Sequence, residues 1–189
     1  HKVVPQGTAD IQVIPSGPGT SDEGLLQMIL GLINSARSEL VLTTPYLVPD
    51  ESILKALRGA AGRGVSVRIV VPEKVDSFLA RYAGRSYFDH LLEAGIEVYQ
   101  YQGGLLHTKS MVVDSRVSMF GTANLDMRSL WLNYELSLFV YDSTFATELR
   151  ELQQTYIDAS RQLDENSWAS RPLPEQFLEN LLRLMSPLL

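Results

Sequence analysis

A histidine, a lysine and two hydrogen-bonding residues form the part of the sequence that could do chemistry. His107 and Lys109 lie two residues apart and precede the apolar run 111–113, and Thr122 and Asn124 follow a short distance on. In a β-strand, alternate side chains project to the same face, so an imidazole and an ammonium at this spacing can both reach one phosphate. The pattern predicts a phosphate cradle of Lys109, Thr122 and Asn124 donors, with His107 left for the chemistry.

The chemistry that suits these residues is cleavage of a phosphodiester without a metal ion. A phosphodiester resists attack because its oxygens are negatively charged, so such an enzyme must supply fixed positive charge and donors. Neutral imidazole is a competent nucleophile, and a carboxylate on its Nδ1–H would leave Nε2 free. Glu135, on a neighbouring predicted strand, is the expected orienting carboxylate. Asp114, seven residues beyond His107, would point to the opposite strand face and is expected to be a structural turn residue.

Other polar residues have both a functional and a structural interpretation. Tyr46 and Tyr87 could line a lipid or headgroup pocket, or could pack amphipathically with the hydroxyl at the surface. Arg85 is a candidate phosphate or headgroup contact, with ordinary solvated charge as the alternative. For Asp126 and Arg128, an internal salt bridge is favoured over substrate contact.

A chance arrangement and a metal site are the main alternatives to this interpretation. The chance alternative is a surface His-Lys pair, a capping asparagine and a salt-bridged glutamate, and the spacing of all four together disfavours it. The sequence has 3 histidines and 0 cysteines, with no His-x-x-x-His pattern and no paired-carboxylate loop. No metal or other cofactor is therefore expected.

Hydrophobic periodicity and turn residues predict alternating strands and helices. Strands are predicted at 10–14, 40–44, 65–71, 96–101, 117–120 and 133–140, and another begins at His107. Helices are predicted after a cap at Ser21 or Asp22, from Asp50 to about Ala61, from Phe78 to Ala94 and from Phe145 to Ser160. A turn at 114–116 would form a hairpin that lays Gly121, which permits close backbone approach, beside the histidine. These elements predict an α/β domain: a layered mixed sheet flanked by helices, largely parallel in its first half.

Three helical segments have predicted apolar faces. The first contains Leu25, Leu26, Ile29, Ile33 and Ala36; the second contains Leu149, Leu152, Tyr156 and Ile157; the tail contains Phe177, Leu178, Leu181, Leu182, Met185 and Leu188. The tail stripe is expected to pack on its own domain, with a membrane-surface role as the alternative.

Composition narrows the classes of partner. With 45% hydrophobic and 20% charged residues, the 189-residue chain is typical of one globular domain, here expected at 10–189 after a linker at 1–9. The net charge of -6 argues against nucleic acid, which needs a basic face. No apolar run approaches the roughly 20 residues that span a bilayer, and the start lacks the layout of a signal peptide.

The motif resembles the signature of the phospholipase D superfamily: His-x-Lys-x-x-x-x-Asp, then Gly-Thr-x-Asn, then a glutamate. The longer string GTANLDMRSLWLNYE resembles the second half of bacterial cardiolipin synthases. This similarity extends over nearly the whole chain, through SGPGTSDEG, TTPYLVPDE, VRIVVPEK and RSYFDHLLEAGIEVYQYQ to the terminal SPLL.

The resemblance implies a phospholipase D-like domain that moves a phosphatidyl group from one phosphatidylglycerol to the hydroxyl of another, releasing glycerol. In this family, two motif copies face each other across a pseudo-two-fold axis, and the second copy is usually assigned the acid/base role. The resemblance therefore implies that His107 is chiefly the general acid, and that the nucleophile lies on a preceding half or on a two-fold dimer mate. The intact protein would belong to the bacterial cell membrane, and this part alone would be soluble or peripheral at the membrane surface.

Two further functions stay open, because the motif does not show which acceptor is used. One is a hydrolase of the same superfamily, a phospholipase or nuclease, in which water takes the phosphoryl group. The other is a non-catalytic module that completes or stabilises a partner.

Overall fold

The computed structural model describes residues 7–19, 24–75 and 77–184. The strands are β1 (Asp10–Ser16), β2 (Glu39–Thr43), β3 (Ser66–Pro72), β4 (Glu97–Tyr101), β5 (Ser110–Val113), β6 (Val117–Gly121), β7 (Glu135–Tyr141) and β8 (Ser160–Gln162). The helices are α1 (Gly24–Ser35), α2 (Glu51–Gly62), α3 (Phe78–Leu92), α4 (Met127–Trp131), α5 (Ser143–Asp158), α6 (Glu165–Ala169) and α7 (Leu173–Arg183). Strand β8 and the short helices α4 and α6 were not predicted.

All described strands form one mixed sheet in the order β1-β7-β6-β5-β2-β3-β4-β8. Strands β2, β3 and β4 are parallel, and the remaining pairs are antiparallel. The predicted α/β class is confirmed, as is the parallel first half. Strand β5 follows His107 and Lys109, and strand β6 precedes Thr122 and Asn124. Both strands lie inside the sheet, where each is held in register by a neighbour on either side.

The two faces of the sheet are covered by different helices. Leu40 and Leu42 of β2 belong to the large core that α1, α2 and α3 complete, whereas Val41 lies in a smaller cluster with Ile157 of α5. Strand alternation explains this division, because successive side chains point to opposite faces. The predicted apolar face of α1 is confirmed, since all five of its residues are buried. Asp50 caps α2 as predicted, while the proposed caps Ser21 and Asp22 lie outside the described residues.

Helix α5 buries the predicted Ile157, but one residue of the predicted face, Leu152, points outward. Leu152 is 44% exposed, whereas its neighbour Gln153 is fully buried. Nε2 of Gln153 donates to the carbonyl of Val41 at 3.3 Å and to the hydroxyl of Ser110 at 3.1 Å. These two hydrogen bonds offset the desolvation of the amide N–H groups, although the buried Oε1 has no partner in the described part of the chain. A polar residue therefore occupies the inward position, and Leu152 points toward solvent.

Helix α7 differs from the prediction in part: Leu178 and Leu182 of the predicted stripe are half-buried, but Phe177 and Leu181 face away from the domain. The buried residue is Glu179, while four large apolar residues are exposed: Leu173 at 77%, Phe177 at 71%, Leu181 at 48% and Leu184 at 77%. Glu179 accepts from Arg85 at 2.6 Å and from Arg171 at 2.9 Å. This pairing satisfies a buried charge and holds the polar side of the helix inward. The predicted stripe residues Met185 and Leu188 lie outside the described residues.

Candidate active site at one end of the sheet

The strand register brings the motif residues to one end of the sheet. Ser110, the first residue of β5, pairs with Thr43 and Phe120, and Gly121 at the end of β6 pairs with Ser137 near the start of β7. The residues at or just beyond these strand ends are therefore neighbours: Lys109, Thr122 and Glu135, which is the first residue of β7.

The segment that carries His107 is not a strand, which corrects the prediction. β5 begins only at Ser110, so strand alternation does not explain how His107 and Lys109 point. Instead, Nζ of Lys109 donates to the carbonyl oxygen of His107 at 2.8 Å, which ties the two residues together. The backbone of Lys109 is held by β6, because the N–H of Gly121 donates to its carbonyl at 3.3 Å. His107 itself is exposed, so its imidazole is accessible to a substrate.

Lys109 lies among opposing electrostatic influences. Burial lowers the pKa of Lys109, while the carboxylates of Glu135 and Asp126 act in the opposite direction. Burial penalises the charged ammonium, and the nearby negative charges favour it. Lys109 is therefore a cation in a partly desolvated place, where its attraction for a phosphate oxygen is stronger than in open water.

Thr122 has a hydroxyl whose hydrogen remains available. Its Oγ1 accepts from the N–H of Leu136 at 2.9 Å, and its own N–H donates to the Leu136 carbonyl at 3.0 Å. A hydroxyl that accepts one bond can still donate one. The exposed Thr122 can thus donate to a phosphate while its backbone stays fixed to β7.

Gly121 makes this close arrangement of β6 and β7 possible. A Cβ atom at this position would lie 2.3 Å from the carbonyl oxygen of Leu136 and 2.8 Å from Cα of Ser137. Both are backbone atoms that cannot move aside without separating the strands. The expected close approach at Gly121 is therefore seen in the structure, and its neighbour is β7.

Asn124 lies beside a cavity of about 280 Å³ next to the motif. The lining residues are Tyr46, Val48, Ser77, Ala80, Asn124, Asp126, Arg128 and Asn133. Oδ1 of Asn124 is buried and has no hydrogen-bond partner within the described part of the chain. The wall near Asn124 is held by the N–H of Val48, which donates to the Leu125 carbonyl at 2.9 Å. Of the aromatic candidates for pocket lining, the structure brings Tyr46 to this site.

Glu135 is bonded by Asn133, not by His107. Nδ2 of Asn133 donates to Oε1 of Glu135 at 3.3 Å. Among the described residues, no hydrogen bond or ion pair joins Glu135 to His107. The orienting role of Glu135 therefore stays a prediction. Burial lowers the pKa of Lys109, and the negative charge of Glu135 counteracts that effect. In this structure, Glu135 therefore acts on Lys109.

Asp114 anchors the hairpin between β5 and β6 to the start of β2. Asp114 and Ser115 have φ of 51° and 50°, in the left-handed region, and the N–H of Arg116 donates to the Val113 carbonyl at 3.0 Å. The Asp114 carboxylate accepts from the N–H groups of residues 37–39 at 2.8–3.0 Å and from the Ser38 hydroxyl at 2.7 Å. Burial raises the pKa of Asp114, but these hydrogen bonds together lower it to about 2.

Arg85 and Tyr87, two of the possible substrate contacts, lie where helix α3 meets helix α7. Arg85 pairs with Glu179 at 2.6 Å and with Glu175 at 3.2 Å, which joins α3 to α7. Tyr87 is buried in the core, with the guanidinium of Arg183 over its ring. Both positions are those of residues that join helices. The network of buried ion pairs was invisible in the sequence because its members are far apart along the chain.

The expected salt bridge between Asp126 and Arg128 is not formed. Asp126 is buried and caps α4, since its Oδ1 accepts from the N–H of Ser129 at 2.7 Å. The spacing of Asp126 and Ser129 is a helix-start signal that could have revealed α4 from the sequence. Asp126 and Arg128, for which substrate contact was the less favoured interpretation, thus enter the site as cavity-lining residues together with Asn133.

The described ranges contain neither a cluster of metal ligands nor a membrane-spanning helix. Between residues 7 and 184, outside the gaps at 20–23 and 76, no group of three or more His, Cys, Asp or Glu side chains converges as metal ligands. In the same described ranges, no helix has the length and apolar character needed to cross a membrane.

Solved structures share this fold. The phospholipase D family member Nuc from Salmonella typhimurium matches with a TM-score of 0.70 and 24% identity, over 82% of this chain and 99% of that one. Phosphatidylserine synthase from Haemophilus influenzae matches with a TM-score of 0.77 and 19% identity, over 96% of this chain and 48% of that one. Fold and motif geometry together define a phospholipase D-like domain.

The sequence comparisons are more specific. A family model described as cardiolipin synthase, phospholipase D-like domain, matches residues 29–156. The chain belongs to that family. Cardiolipin synthase A of Erwinia tasmaniensis is 49% identical over 179 residues, which cover 95% of this chain. The chain spans 37% of the length of that relative.

Proposed function

We propose that this chain is one catalytic half of a phosphatidyltransferase that forms cardiolipin and glycerol from two phosphatidylglycerol molecules. The observation that carries the proposal is the exposed His107 tied to Lys109 at the sheet end where Thr122 can donate. Lys109 and Thr122 supply the positive charge and donor that a phosphodiester needs in a site without metal. Family membership supports cardiolipin synthesis as the reaction. Residues 10–189 are proposed to form the single phospholipase D-like domain.

The proposed reaction proceeds through a phosphohistidine. One imidazole attacks phosphorus as the P–O bond to glycerol breaks, and a second group protonates the leaving alkoxide from the opposite side. A single imidazole cannot do both in an in-line displacement. We assign His107 chiefly to the acid/base role, with Glu135 as its proposed orienting carboxylate. In the described chain the other histidine, His90, lies within 3.1 Å of Arg183 between α3 and α7, away from this chemistry.

The nucleophilic histidine would come from a second copy of the motif. Two observations support a second half: the chain spans 37% of its relative, and it covers 48% of a phosphatidylserine synthase chain of the same fold. The partner would be a preceding half or a two-fold dimer mate. The isolated chain should then be folded but nearly inactive.

The deciding experiment measures products from phosphatidylglycerol vesicles. The purified chain is assayed over a range of concentrations, alone and with the preceding half added. Cardiolipin that appears only with the added half, or rises steeply with concentration, supports the proposal. Phosphatidic acid as the main product would show a hydrolase, which is the alternative function. Full activity of a strictly monomeric chain would refute the requirement for a second histidine.

We further infer that the intact protein works at the bacterial membrane, with α7 as a surface contact. Its outward stripe contains Leu173, Phe177, Leu181 and Leu184, all exposed. A single helical stripe of this size is small for a stable protein dimer, which buries about 800 Å² on each partner. It suits a helix that lies in the interface with its apolar side about 5–10 Å deep.

A further inference from the structure

We infer that Arg128 binds the phosphate of the acceptor phosphatidylglycerol, so that the cavity beside Asn124 selects a lipid hydroxyl over water. This inference rests on the proposed function, because it assigns the second substrate of the same site. The motif residues account for one phosphate, that of the donor. Arg128 has no role in that account, and of the cavity wall only Asn124 belongs to it.

The transfer itself requires a second phosphate site. In the second step, the P–N bond of the phosphohistidine breaks while a P–O bond forms to the acceptor glycerol hydroxyl, and the hydroxyl proton passes to the general base. Donor and acceptor phosphates are then separated by one glycerol unit, and their negative charges repel each other. The charge of Lys109 already faces Glu135 and Asp126, so it is poorly placed to compensate both phosphates. A separate cation close to the acceptor would stabilise the second phosphate.

Arg128 has the properties of that cation. It lines the cavity and is exposed to solvent. Its guanidinium has no ion pair or side-chain hydrogen bond in the part of the chain that the structure describes. The carboxylate nearest in sequence, Asp126, is committed to the N–H of Ser129 at 2.7 Å. A planar guanidinium with several donors is suited to bind two oxygens of a phosphate at once.

The cavity also contains an unused acceptor for a hydroxyl group. Oδ1 of Asn124 is buried without a partner, and such an atom is costly unless a ligand donates to it. A glycerol headgroup carries hydroxyl donors, and its phosphate would reach Arg128. Val48 and Ala80 provide apolar wall between the polar groups. Water could satisfy Asn124 and solvate Arg128, but it lacks the negative charge and paired oxygens that a guanidinium binds most strongly. The pair therefore favours a phosphoglycerol acceptor.

The test is the product distribution of the intact enzyme with Arg128→Gln. Phosphatidylglycerol vesicles are supplied with ethanol, and cardiolipin, phosphatidic acid and phosphatidylethanol are measured. A lost charge-assisted contact should lower the ratio of cardiolipin to the other two products by about tenfold or more. Arg128→Lys, which retains the charge and loses the planar fork, should lie between. Arg58→Gln, at an exposed position of α2, is the matched control and should keep the wild-type ratio.

The outcomes separate this inference from the proposed function. If the wild type makes cardiolipin and Arg128→Gln keeps the wild-type ratio, the acceptor role of Arg128 is refuted while the proposed function stands. If the wild type makes no cardiolipin, the proposed function fails. If Arg128→Gln does not unfold cooperatively, the decision falls to Arg128→Lys, where an unchanged ratio refutes the bidentate contact.

Discussion

Asp114→Asn should destabilise the fold and leave the chemistry intact. Asparagine tolerates the left-handed conformation that this position needs, so the substitution isolates the charge. The carboxylate accepts from three successive N–H groups, of residues 37–39, and from the Ser38 hydroxyl. Asparagine keeps one acceptor oxygen, and its amide nitrogen would face N–H donors. The end of the hairpin would then be poorly anchored to β2.

The magnitude follows from the pKa. The hydrogen bonds lower the pKa of Asp114 from 3.8 to about 2, which corresponds to about 2 kcal/mol of differential stability. Solvent screening at this partly exposed site reduces the figure. Removing the charge also relieves its repulsion of Glu39. We expect a loss of about 1–2 kcal/mol at pH 7, or about 2–8 °C in Tm.

The assay is urea unfolding of both proteins at several pH values. Because the pKa of Asp114 is lower in the folded than in the unfolded chain, its stabilisation is fully present above the unfolded value. It is lost as the pH falls from about 4 toward about 2. The difference between the two proteins should therefore shrink over that range. A difference that does not change with pH would refute the electrostatic account, and unchanged stability with lost activity would show that Asp114 is catalytic.

Four other outcomes are expected. In the intact enzyme, His107→Ala or Lys109→Ala should abolish turnover with cooperative unfolding retained; loss of cooperative unfolding would mark these residues as structural. Glu135→Gln should lower activity less than His107→Ala, and equal loss in the two variants would count against an orienting role. The same variant should move the alkaline loss of activity to lower pH, since Glu135 opposes the effect of burial, which lowers the pKa of Lys109. Gly121→Ala should cost about 1–3 kcal/mol in urea unfolding, because its Cβ would meet the backbone of β7, and wild-type stability would show that the strands can separate freely. Phe177→Gln should weaken binding to phosphatidylglycerol vesicles in a flotation assay without lowering Tm, since the side chain is 71% exposed; unchanged binding would exclude α7 as the membrane contact.

Local features of the sequence determined much of this protein. The apolar face of α1, the cap at Asp50 and the hairpin turn at 114–116 follow from periodicity and turn chemistry within a few residues. The candidate phosphate site was also predicted from the sequence, because the residue types and spacing of the motif indicate that chemistry.

Tertiary structure decided the rest. Only packing shows that Gln153 points inward in place of Leu152, since its partners Val41 and Ser110 come from distant strands. The orientation of α7 depends on Glu179 meeting Arg85 and Arg171, which reverses the side that hydrophobicity alone would bury. Likewise, Arg128 and Asn124 line one cavity, whose wall also includes the helix cap Asp126. In each case the fold brings together polar groups that are distant or unrelated along the chain, and periodicity carries no information about such neighbours.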